Sequence, residues 1–137
     1  LTTDANGKIT INSSATVTTT SPQLIGWAKV CLGNLWNLAT NQFGGDVTNV
    51  YLVTASSSQP MNLGIAFGSS YATTYQVTCE IEGFDASTDA QYWQKWWIAP
   101  GSKSATGFNF VASNWDAYNA GSVSPGHVYT IWIWRRE

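Results

Sequence analysis

At 137 residues the chain suits one domain with a packed core, and 44 % of it is apolar. Charged residues make up only 10 %, the net charge is −2 and Lys plus Arg number six, which excludes the clustered basic surface that nucleic acid requires. Two cysteines and one histidine are too few for a structural zinc set of those ligands.

Ser, Thr, Asn, Gln and Gly carry the polarity that charge usually supplies. Such a surface is common in secreted proteins and in proteins assembled on cell or particle surfaces. The chain opens Leu1-Thr2-Thr3-Asp4 without a basic region, so a secreted protein is read here as its mature form. No apolar run is long enough to span a bilayer.

The first twenty residues are Thr-rich. From Lys8 to Thr20 they alternate, which predicts a half-buried edge strand or an N-terminal arm. Residues 23–43 satisfy two patterns. Leu24, Trp27, Ala28, Cys31, Leu32, Leu35 and Leu38 follow helical spacing, while Gly26 and Gly33 oppose a helix interior, so strands over 24–32 and 35–39 are preferred. Asp46 to Ala55 reads as a strand rich in Val, Tyr and Leu. Met61 to Phe67 is a strand with Leu63, Ile65 and Phe67 on one face.

Thr73 to Glu82 alternates cleanly: Tyr75, Val77, Cys79 and Ile81 face one way, Gln76, Thr78, Glu80 and Glu82 the other. Thr106 to Ala112 places Phe108 and Phe110 together. His127 to Arg135 alternates Tyr129, Ile131 and Ile133 with Val128, Trp132 and Trp134. Both of its faces are apolar, so it belongs centrally in a sheet or covered on both sides. Eight or nine short strands with regular turns predict an all-β single-domain fold over 1–137, an antiparallel β-sandwich of jelly-roll or Ig-like type.

Tyr92-Trp93-Gln94-Lys95-Trp96-Trp97 is the densest aromatic stretch. Thr88 and Gln91 could form a capping box, and Pro100-Gly101 could stop a short helix. The all-β surroundings favour a strand instead. A strand puts Tyr92, Gln94, Trp96 and Ile98 on one face and Trp93, Lys95 and Trp97 on the other. One aromatic set then anchors the sandwich and the other is a candidate surface.

Cys31 and Cys79 are expected to form an inter-sheet disulfide, worth roughly 4 kcal/mol in the chain-entropy picture. Catalysis has little support. Glu80 and Glu82 share one strand face, whereas carboxylate pairs that cleave glycosides flank a cleft from separate elements. His127 follows a Pro-Gly turn with no nucleophile beside it. No calcium loop or phosphate loop is present. The chain is therefore read as a non-enzyme with no cofactor and no metal.

Binding is better supported. Sugar rings stack an apolar face on aromatic side chains, and their hydroxyls need short donors and acceptors. Trp93, Gln94 and Trp97 offer that mixture, as do Asn114, Trp115, Asp116, Tyr118 and Asn119. The expected function is lectin-like carbohydrate binding, with glycans or glycoconjugates as partners. Two other classes are consistent with the composition: a self-assembling structural or adhesion subunit that forms homo-oligomers, and a membrane-binding cytolysin. For the last, Tyr92-Trp93 and Pro100-Gly101-Ser102-Lys103 are locally similar to the aegerolysins. That similarity covers about fifteen residues and implies a lipid-headgroup surface; the rest of the chain does not follow that family.

Overall fold

The computed structural model describes residues 2–3, 9–10, 22–82, 94–114 and 122–135. Among them no helix occurs, and eight strands form two four-stranded antiparallel sheets. A separate two-stranded ribbon joins β1 (Thr2–Thr3) to β2 (Ile9–Thr10). The N-terminal pairing is therefore with itself; the expected strand beyond Thr10 lies outside the described residues.

The first sheet has the order β4 (Leu38–Gly45), β3 (Gln23–Leu32), β10 (Val128–Arg135), β7 (Gln76–Glu82). The second has the order β5 (Val47–Ser56), β6 (Gln59–Phe67), β9 (Gly107–Asn114), β8 (Gln94–Ile98). The all-β sandwich expected from the alternation is the fold observed. The helical reading of 23–43 is not: Gly33 N–H donates to Asn37 O and Trp36 N–H to Gly33 O, closing a turn between two strands. Trp36 takes a positive φ of 60° in that turn. This tight reversal moves the second strand from the expected 35–39 to Leu38–Gly45.

The chain crosses between the sheets at Gly45, whose φ of 64° suits glycine. Asp46 N–H then donates to Ile25 O at 2.9 Å. The core lies between the sheets and follows the two-residue period of each strand. Ala28 and Val30 of β3 meet Tyr129, Ile131 and Ile133 of β10, all completely buried. Met61, Leu63 and Ile65 face Phe108, Phe110 and Ala112 across the β6–β9 pair. Trp96 stacks on Phe110 with ring centroids 5.6 Å apart and planes 14° apart. Residues 94–98 are thus strand, and Trp96 belongs to the side that anchors the sandwich.

The expected disulfide does not form; both cysteines are free. Cys31 on β3 pairs with Val128, and Cys79 on β7 pairs with Ile131, so β10 runs between them in one sheet. Two strand spacings separate them by about 10 Å, beyond the roughly 7 Å that a disulfide bridges. Val128 and Ile131 differ by an odd number of residues, so the two thiols also point to opposite faces. Alternation placed Cys79 inward correctly but could not show that Cys31 belongs to the same sheet.

Candidate functional site

Of the expected ligand residues, Gln94, Trp97 and Asn114 are described. Trp93, Trp115, Asp116, Tyr118 and Asn119 lie outside the described residues. Gln94 pairs with Asn114 across β8 and β9 on the inner face. Its Nε2 donates to Asn114 Oδ1, and its Oε1 accepts a 2.8 Å bond from the Tyr129 hydroxyl. Asn114 is 2 % exposed. Its Nδ2 donates to Ser122 Oγ at 3.3 Å, and its backbone N–H to Ser122 O at 2.7 Å. These side chains form an internal polar chain linking the two sheets. Burial also drives the Tyr129 phenol upward in pKa, which keeps it a neutral donor. Trp97 does face outward on the second sheet, 37 % exposed, with the Lys95 ammonium 5.7 Å from its ring centroid.

A different aromatic group gathers on the outer face of the first sheet. Residues paired across antiparallel strands share a face. Trp27 pairs with Trp132, and across a bulge at Ile133/Trp134 Leu24 pairs with Trp134. The intervening Ala28, Ile131 and Ile133 point into the core, so Trp27, Trp132 and Trp134 point away from it. All three tryptophans are half-buried and Leu24 is exposed.

Two contacts set the outer rings. Trp27 faces Gly44 on β4, where a Cβ would stand 2.6 Å from its Nε1 and 2.8 Å from its Cε2. Only the missing side chain lets the indole lie against the strand. On the other flank, Trp134 Nε1–H donates to Thr78 Oγ1 on β7 at 3.0 Å. The rings thus lean outward from the β3–β10 pair toward both neighbouring strands. Exposed polar residues rim them: Lys29 and Gln42 on one side, Gln76, Thr78 and Glu80 on the other. This surface is an apolar floor on the β3–β10 pair with donors and acceptors along its margins on β4 and β7.

Several other titratable groups have structural partners. The Tyr71 hydroxyl donates to Asp46 Oδ2, and this bond is the main cause holding that carboxyl below its usual range. Arg135 sits over the Tyr71 ring at 5.7 Å. Desolvation pushes the Tyr75 phenol up to about 12, and its hydroxyl donates to Gly107 O at 2.9 Å. Lys103 caps that ring at 4.4 Å from its centroid. Glu80 and Glu82 lie on the exposed face of β7, and His127 is buried. Among the described residues no group of three His, Cys, Asp or Glu side chains gathers as metal ligands would.

No protein-family model, no curated protein and no solved structure matches this chain. The site therefore has to be read from its own chemistry.

The tryptophan floor was only partly legible beforehand. The alternation along 128–135 put Trp132 and Trp134 on one face. It did not connect them to Trp27, because that link is a strand pairing. A signal was available in Gly44-Gly45, since a glycine pair beside an apolar strand can mark a place where a bulky neighbour lies down.

Proposed function

We propose that this domain binds carbohydrate chains on the outer face of the β4–β3–β10–β7 sheet, by stacking sugar rings on Trp27, Trp132 and Trp134. The observation that carries this reading is the gathering of three half-buried indoles on a sheet face the core does not use. A sandwich needs only one buried face per sheet, so the fold alone does not call for them. Aromatic faces suit the apolar side of a sugar ring. The rim of Gln42, Lys29, Thr78, Gln76 and Glu80 supplies partners for its hydroxyls. A sheet face fits an extended chain better than a buried single sugar. The reading is of a binding module rather than an enzyme, placed outside the cell or on a particle surface where glycans are met.

The test is retention on immobilised polysaccharides, with tryptophan fluorescence followed during titration with soluble oligosaccharides. Trp132→Ala, at the centre of the floor, is expected to weaken binding at least about tenfold, which is about 1.4 kcal/mol. A wild-type protein that binds no glycan, or a Trp132→Ala variant that binds as well as wild type, would remove the basis of this reading. Leakage of liposomes without glycan binding would favour a membrane-acting protein. Sedimentation as large particles without glycan binding would favour a structural subunit.

A further inference from the structure

We infer that the opposite face of the sandwich carries a second subsite, for a single neutral sugar ring beside Tyr51, and that the domain therefore bridges two glycan chains. The inference rests on the glycan reading of the first sheet. Tyr51 on β5 pairs with Gly64 on β6. A Cβ on Gly64 would fall 2.1 Å from Tyr51 Cζ, so the phenol ring lies directly against the glycine. It remains 49 % exposed. The second sheet thus repeats the arrangement of Trp27 on Gly44.

Beside this ring lies a cavity of about 240 Å³ whose polar lining includes Ser102, Ser104, Thr106 and Asn109. Two of these hydroxyls hold the wall in place. Ser102 Oγ donates to Ala99 O at 2.7 Å and accepts from Asn109 N–H at 3.1 Å. Ser104 Oγ donates to Gly107 O at 3.2 Å and accepts from Thr106 N–H at 3.3 Å. Among the described residues, the Tyr51 phenol, the Thr106 hydroxyl and the Asn109 side-chain amide make no hydrogen bond.

Those three groups offer both donors and acceptors around an exposed aromatic face. That is the complement of a pyranose, with one apolar face and a girdle of hydroxyls. Among the described residues no charged side chain lines the cavity, which argues for a neutral ligand over a phosphate or a carboxylate. The volume is below the roughly 300–1,000 Å³ of drug-sized pockets, which limits the occupant to about one ring. The two outer faces of a sandwich point in opposite directions, so one short glycan cannot occupy both sites.

Calorimetric titration with cellohexaose, chitohexaose, xylohexaose and mannohexaose tests this, alongside clumping of polysaccharide-coated beads. Wild type is expected to bind two oligosaccharides per domain and to clump beads. Asn109→Ala, which leaves Tyr51 on Gly64, is expected to bind one and to coat beads without clumping them. Tyr51→Ala, checked for an intact melting transition, is expected to do the same. Trp132→Ala is expected to keep only the Tyr51 site. One oligosaccharide per wild-type domain, unchanged in Asn109→Ala and Tyr51→Ala but lost in Trp132→Ala, would overturn the second subsite and leave the tryptophan floor standing. Wild type that binds none of the four would overturn both.

Discussion

Trp27 lies against Gly44, its direct partner on β4, at a separation that no side chain on residue 44 could share. The glycine is a property of the sequence, and the orientation of the indole is a property of the sheet.

Gly44→Ala tests that link. The new methyl would lift the half-buried ring rather than crush a closed core, so the cost lies near the low end of overpacking, about 1 kcal/mol. Urea unfolding is expected to show the lowered midpoint, and tryptophan emission to shift to the red as the ring meets water. Glycan binding is expected to weaken with it. An unchanged midpoint and spectrum would show that Trp27 does not rest on residue 44.

The internal polar chain makes a different prediction. Tyr129→Phe removes the donor to Gln94 Oε1 and is expected to lower stability by about 1–2 kcal/mol. Asn114→Ala removes a fully buried side chain bonded to both Gln94 and Ser122 and is expected to lose about 2–4 kcal/mol. Both are read in denaturant titrations. Glycan affinity at a temperature where the variants remain folded is expected to stay within about twofold of wild type, since distant sites add independently. A selective loss of affinity without loss of stability would return Asn114 to the ligand surface.

The cysteines predict insensitivity to reductant. With no bond between them, dithiothreitol is expected to leave the unfolding midpoint unchanged. Burial raises the Cys31 thiol and pushes Cys79 up to about 12, so neither forms much thiolate at pH 8. Ellman's reagent is expected to react slowly with the native protein and to count two thiols after denaturation. A midpoint that falls in dithiothreitol would contradict the pairing of β3 and β7 on either side of β10.

Acid titration addresses Asp46. Its hydrogen bond from Tyr71 lowers its pKa in the folded state, so the unfolded chain takes up the proton first as pH falls. The stabilisation is therefore present above the usual carboxyl value of about 4 and is lost as pH drops through the lower folded value. Asp46→Asn is expected to remove this component and flatten the acid limb of a stability–pH curve. Identical acid limbs for the two proteins would show that the bond does not act on stability.

Much of the sandwich could be read along the chain. Met61–Phe67, Gln76–Glu82 and Val128–Arg135 alternate because each has one face in a core, and side chains on a strand reverse direction at every residue. The same rule put Trp96 and Trp97 on opposite faces, and the structure assigns Trp96 to Phe110 and Trp97 to the outside. Gln94 and Asn114 resembled surface ligands because composition does not report which polar side chains meet each other. Only the β8–β9 register joins them to each other, and the approach of Tyr129 from the other sheet completes the chain.

What the sequence determined by itself is local: strands, their two faces, and an excess of tryptophan beyond what one core uses. Which strands lie side by side was decided only by the tertiary structure. That choice set Trp27 beside Trp132, gave Trp27 the bare backbone of Gly44, and brought Thr78 to the indole N–H of Trp134. It also placed Cys31 and Cys79 in one sheet, facing apart. The reason is the range of the interactions. Alternation is imposed residue by residue through burial, whereas a site spread over β3, β4, β7 and β10 exists only once distant segments share backbone hydrogen bonds.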